Sequence, residues 1–174
     1  HRTSHQSQQR PEQAERGTLT LEPAITTGTG KTHLAIGIAI RACQAGHRVL
    51  FATASQWVDR LAAAHHAGTL QTELARLARY PLLVVDEVGY IPFEPEAANL
   101  FFQLVSSRYE RASLIVTSNK PFGRWGEVFG DDVVAAAMID RLVHHAEVIS
   151  LKGDSYRIKD RDLGRVPTVT AEEQ

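Results

Sequence analysis

Two segments constrain this chain most: Gly28-Thr29-Gly30-Lys31-Thr32, and, further on, Leu82-Leu83-Val84-Val85-Asp86-Glu87. A glycine turn closing on Gly-Lys-Thr at the head of an apolar helix gathers donors for a polyphosphate. Backbone N–H groups turn inward, Lys31 supplies a point charge, Thr32 offers a hydroxyl to Mg²⁺, and the helix adds its positive end. An apolar run ending in Asp-Glu is the usual complement. A buried strand then brings one carboxylate to the metal and one to the attacking water. The full loop pattern, G-x-x-x-x-G-K-[ST], places its first glycine where this chain has Ile25. The phosphate-proximal half of the loop is intact and its entry is not.

The rest of the chain alternates strand and helix patterns. A helix is predicted from Thr32 to Gly46, with Leu34, Ile38 and Cys43 near one broad face with Ala35, Ala39 and Ala42. Arg48–Thr53 reads as a strand, and Thr53 or Ser55 can cap a helix through Trp57, Leu61 and Ala64 that breaks at Gly68. Helices follow over 70–79 and 96–109, a buried strand over Ser113–Thr117, a helix over 132–144 and a closing strand over Glu147–Leu151, with which a short Tyr156–Ile158 strand can pair. This alternation predicts an α/β fold with a mostly parallel sheet. Thr18-Leu19-Thr20-Leu21 alternates like a strand, but Glu22-Pro23 follows at once. A phosphate loop usually hangs from a continuous apolar strand, so the first strand is expected to be missing or degenerate.

In such sheets ligands sit beyond the carboxyl ends of the strands, where Asp86, Glu87 and Asn119 all fall. Asp86 is expected to hold Mg²⁺, and Glu87 to orient and deprotonate water at the γ-phosphorus. Asn119 either touches the γ-phosphate and that water or satisfies local backbone. Arg141 is either a functional cation or an exposed salt-bridge partner. His65-His66 and His144-His145 invite a metal, but adjacent helical side chains diverge by about 100° and no acidic cluster accompanies either pair. Trp57, Phe122 and Trp125 read as packing residues, although Lys120, Arg124 and Trp125 share a loop that could face DNA.

The length of 174 residues suits one domain, and 19 basic against 20 acidic side chains exert no global pull on nucleic acid. The single cysteine, Cys43, excludes an intramolecular disulfide and is expected to be a small buried thiol. No apolar run approaches the ~20 residues that span a bilayer, so a cytoplasmic protein without leader or membrane contact is expected.

Several segments together resemble a known family. They are Gly28-Thr29-Gly30-Lys31-Thr32-His33-Leu34-Ala35, Phe51–Ala54, Leu83–Tyr90, Ser107–Arg111, Leu114–Asn119, Trp125–Asp131, Asp140–His145 and Gly153–Arg157. The chain resembles the IstB-like transposition helper ATPases, relatives of the bacterial helicase loaders within the AAA+ superfamily. The resemblance implies a P-loop three-layer sandwich, ATP and Mg²⁺ as cofactors, and hydrolysis of ATP. It implies DNA and the transposase of the same mobile element as partners, and a homo-oligomer with nucleotide at subunit interfaces. It gives nucleotide-binding roles to Gly28, Thr29, Gly30, Lys31, Thr32 and His33, and metal-binding roles to Thr32 and Asp86. Glu87 and Asn119 become catalytic, Arg141 an arginine finger for a neighbouring subunit, and Arg157 a second arginine near the phosphates. The family places an apolar strand and Gly-Pro-Pro before the loop, preceded by a helical region. This chain therefore reads as an N-terminally truncated copy: a disordered polar arm over 1–17, an AAA+ domain over 18–160 and a disordered tail over 161–174. A helicase-loader-like ATPase and a non-catalytic remnant are the alternatives.

Overall fold

The computed structural model describes residues 18–23 and 30–151. Its strands are β1 (Thr18–Pro23), β2 (Val49–Thr53), β3 (Leu82–Val88), β4 (Ser113–Ser118) and β5 (Ala146–Leu151). Its helices are α1 (Lys31–Gln44), α2 (Ala54–His66), α3 (Leu70–Leu77), α4 (Pro95–Arg108), α5 (Trp125–Phe129) and α6 (Asp132–Val143). The strands form one sheet in the order β2-β3-β4-β1-β5, and every pairing is parallel. This is the parallel α/β sheet that the alternation of elements predicted, in the P-loop AAA+ arrangement that the resemblance implied. No helix among the described residues is long and apolar enough to cross a membrane.

The first strand is not missing. β1 lies between β4 and β5, with Thr18–Leu21 in register against Leu114–Thr117 and Thr18–Pro23 against Ala146–Leu151. A parallel ladder is made from backbone groups, which a Thr-Leu alternation supplies as well as a continuous apolar run does. Pro23, which has no N–H to give, is the last residue of the strand. The polar arm 1–17, the tail 161–174 and the Tyr156–Ile158 strand lie outside the described residues.

The two faces of the sheet are covered unequally. Leu83 and Val85 of β3 and Leu114 and Val116 of β4 point into the larger core with Trp57, Leu61, Phe101, Leu104, Met138 and Leu142 from the helices. Leu82, Val84 and Ile115 alternate to the other face and meet Ala35 and Ala39 of α1. Alanines there bring the helix close to the sheet. The rest of its apolar surface is not so well covered: Leu34, Ile36 and Ile40 remain exposed, beside Phe51 of edge strand β2. Cys43 is exposed as well, so the expected buried thiol is corrected. The inward face of α1 is narrower than its composition suggested, because one helix alone packs on that side of the described sheet.

Local signals account for the helix ends. Thr53 accepts from the Gln56 N–H while Gln56 Oε1 accepts from the Thr53 N–H at 2.9 Å, a capping box that starts α2 directly from β2. Arg108, at the last position of α4, has no such obvious reading in the sequence. Its guanidinium is buried and donates to the carbonyls of Leu77 at 3.0 Å, Tyr80 at 2.8 Å, Pro81 at 3.3 Å and Ser113 at 2.8 Å. One side chain thus ties the end of α3 to the starts of β3 and β4. Burial pushes the guanidinium down to about 10, which leaves it protonated at neutral pH. Replacing Arg108 with Met should orphan these carbonyls and cost about 3 kcal/mol in urea unfolding, with Lys recovering only part because an ammonium cannot span the fork. A loss below about 1 kcal/mol would contradict this role.

Candidate functional site

α1 leaves β1 on one face of the sheet, whereas α5 and α6 leave β4 on the other. The helices that follow adjacent strands β1 and β4 thus cover opposite faces, and at the carboxyl ends of such a pair an open parallel sheet forms its ligand crevice. Gly30 stands at the head of α1 with φ 85°, a left-handed conformation that glycine adopts without a Cβ penalty. Lys31 and Thr32 follow immediately as the first helical residues. Lys31 is buried; desolvation pushes its ammonium pKa down, and the charge of Asp86 acts in the opposite direction.

Asp86 is the meeting point. Its carboxylate is almost fully buried at the end of β3, and the Thr32 hydroxyl lies 3.0 Å from each of its oxygens. The Thr117 hydroxyl of β4 donates to Asp86 Oδ1 and also accepts the Glu87 N–H at 2.9 Å. Two hydroxyls from two elements therefore compensate a carboxylate that burial would otherwise penalise. These oxygen ligands, hard and closely spaced, are of the type that suits Mg²⁺.

Glu87 follows with φ 64°, in the left-handed region, at a cost on the order of 1–2 kcal/mol for a non-glycine residue. The ladder between β3 and β4 shifts register between Val85 and Val88. The turn exposes Glu87 while its neighbours Asp86 and Val88 stay buried. Such strain persists where surrounding contacts over-determine it, and here the Thr117 bond to the Glu87 N–H is one of them.

Asn119 leaves the end of β4 with its N–H on the Val88 carbonyl at 3.3 Å. Its Oδ1 is buried and has no hydrogen-bond partner among the described residues. Gly89 packs against it with φ 87°. A Cβ there would stand 3.0 Å from Asn119 Oδ1 and 2.9 Å from Lys120 Cγ, so only glycine fits. An unpaired buried acceptor beside Asp86 and Glu87 is a place that a water or a ligand group can complete.

Lys31, Thr32, Asp86, Glu87 and Asn119 are thus gathered at one end of the sheet, with Gly30 at the helix head and His33 exposed on the first turn. Gly28, Thr29, Ile25 and Arg157 lie outside the described residues. Arg141 is not at this crevice. It sits in the last turn of α6, which returns toward the amino ends of the strands, with its guanidinium 4.6 Å from the Phe102 ring centroid. Thr117 was missed by the sequence reading; its signal is a hydroxyl in the otherwise apolar run of β4. In the loop that could face DNA, Trp125 has the packing role read for it from the sequence. Trp125 is fully buried, its indole N–H donating to the Lys120 carbonyl at 3.0 Å, so it offers no stacking surface. Arg124 and Lys120 both approach Glu127, at 2.8 and 3.8 Å.

Thr117→Val keeps the shape and removes the hydroxyl. It should cost about 1–3 kcal/mol in urea unfolding, with Thr117→Ser restoring most of it. Equal stability of the valine variant and wild type would show that Asp86 does not depend on this bond.

Residues 23–164 match the family described as IstB-like ATP binding protein. The insertion sequence IS21 ATP-binding protein of Pseudomonas aeruginosa is 48% identical over 141 residues, covering 81% of this chain and 53% of that protein. The chain spans about half the length of the curated relatives it matches. Among solved structures, AMPPCP-bound DnaA from Aquifex aeolicus superposes with a TM-score of 0.65 at 20% identity, over 83% of this chain and 43% of that one. The DnaC helicase loader gives 0.63 at 20% identity, over 78% of each chain. At that identity the two structures speak for the fold.

Proposed function

The chain belongs to the family of IstB-like ATP-binding proteins, and on that premise we propose that it hydrolyses ATP as a helper of DNA transposition. In this reading it contacts DNA and recruits or stimulates the transposase of its own mobile element. The observation that carries the proposal is the hydrogen-bonded junction of Thr32 with Asp86 at the crevice, headed by buried Lys31. The name of the Pseudomonas relative, an insertion sequence ATP-binding protein, supports the biological setting.

Each residue has a chemical task in this proposal. Gly28, Thr29, Gly30 and His33 belong to the loop and first turn around the phosphates, and Lys31 bears on the β- and γ-phosphates. Thr32 and Asp86 hold Mg²⁺, which screens the charge of the phosphate oxygens when bound. Glu87 accepts the proton of a water whose oxygen forms a bond to the γ-phosphorus. The bond from that phosphorus to the β-bridging oxygen breaks, releasing ADP and phosphate. Asn119 orients that water or the γ-phosphate through its buried carboxamide. Arg157 is a second candidate cation for the phosphates.

Arg141 cannot easily serve the same nucleotide, because α6 carries it toward the opposite end of the sheet. Its position supports a role on the nucleotide of a neighbouring subunit, and hence a homo-oligomer with ATP at its interfaces. The same fold in the DnaC helicase loader keeps a loader-like activity as the second reading.

The test is ATP hydrolysis with and without DNA. Wild type should turn over ATP faster with DNA, Lys31→Ala should abolish activity, and Glu87→Gln should lower kcat by about 10²–10⁴-fold. Equal rates in wild type and both variants would contradict an ATPase, and the non-catalytic remnant would then stand. Pull-down of a replicative helicase rather than a transposase would favour the loader reading.

A further inference from the structure

We infer that Glu110, His144 and His145 form a binding site for a divalent transition cation of the Zn²⁺ class, remote from the nucleotide crevice. One ligand atom from each residue lies within 4.8 Å of the others. His145 Nε2 stands 3.1 Å from Glu110 Oε1, and the two imidazole rings have centroids 4.3 Å apart. All three side chains are exposed and can turn, and small rotations bring them to the ~2.0–2.2 Å metal distances of imidazole and carboxylate ligands. Two imidazoles and a carboxylate, with water completing the shell, favour Zn²⁺, Cu²⁺ or Ni²⁺ over Mg²⁺.

The objection to adjacent histidines on a helix does not apply to this pair. His144 caps α6 with a backbone that is still helical and His145 lies in the turn beyond it, yet their ring centroids are only 4.3 Å apart, so divergence does not separate them. The acidic partner is far away in sequence. Glu110 sits in the turn after α4 with φ 56°, a left-handed conformation uncommon for glutamate. A further contact resembles the outer shell of a metal site: the Tyr109 hydroxyl lies 2.5 Å from His144 Nδ1, which leaves Nε2 of that ring for a cation. The other histidine pair is a natural contrast. His65 and His66 both lie in the last turn of α2, their rings 6.0 Å apart, with Glu96 at 3.9 and 3.4 Å.

A bound cation would tie the turn after α4 to the turn after α6, three residues beyond Arg141. The inference stands independently of the nucleotide site. It is tested by titrating the full chain with Zn²⁺ against a chromophoric chelator, in excess Mg²⁺ and without nucleotide. Wild type should bind one equivalent with high affinity at this site. His144→Ala, His145→Ala and Glu110→Gln should each weaken it at least as much as loss of an outer-shell partner does, about 10–100-fold. Tyr109→Phe should weaken it less, and His65→Ala/His66→Ala should leave it unchanged. Zn²⁺ should also raise the thermal midpoint of wild type and not that of His144→Ala/His145→Ala. Circular dichroism of each variant without metal separates lost ligation from lost folding. No Zn²⁺ binding by wild type, or undiminished binding by folded His144→Ala/His145→Ala, would overturn the inference.

Discussion

The carboxylate of Asp86 is the constraint on which the rest of the crevice depends. A charge buried at the end of a central strand is tolerable only with strong partners, and the hydroxyls of Thr32 and Thr117 provide them. One comes from the head of α1 and the other from β4. The amino-terminal end of α1 is thereby held to β3, and β3 to β4, by groups that also belong to the candidate site. Structural and chemical demands coincide at one residue.

Around that junction the chain departs from relaxed geometry in a limited way. Glu87 takes a left-handed backbone, Gly89 makes room for a carboxamide, and the β3–β4 register shifts between Val85 and Val88. A carboxylate that must reach out of a buried strand needs such an irregularity, since a regular pleat places successive side chains only on the two faces. At the opposite end of the sheet Arg108 does a comparable job for the backbone, gathering carbonyls from three segments. The sheet is pinned at both ends, by a carboxylate at one and a guanidinium at the other.

What the sequence made legible follows from locality. Gly-Lys-Thr and Asp-Glu are local patterns with few structural uses, so Lys31, Thr32, Asp86 and Glu87 could be brought together on paper. The α/β alternation likewise predicted the parallel sheet. Contacts between distant segments were not legible. Thr117 is a single hydroxyl whose partners lie on another strand, Arg108 meets backbone carbonyls, which leave no residue-specific trace, and Glu110 reaches His145 only through folding. β1 was undervalued because composition was weighed, whereas its place depends on backbone pairing. Cys43 was placed inside because a free thiol is commonly buried and it lies near one broad face with Leu34 and Ile38, yet the sheet covers only part of that face.

The central claim is that the Thr32–Asp86 junction at the head of α1 holds a magnesium-bound nucleotide. Titration of the protein with a fluorescent ATP analogue, with Mg²⁺ and with chelator, addresses it directly. Saturable binding to wild type that weakens when Mg²⁺ is removed, and that weakens likewise in Asp86→Ala with Mg²⁺ present, is the result this account predicts. Absence of binding, or binding indifferent to both Mg²⁺ and Asp86, would contradict it.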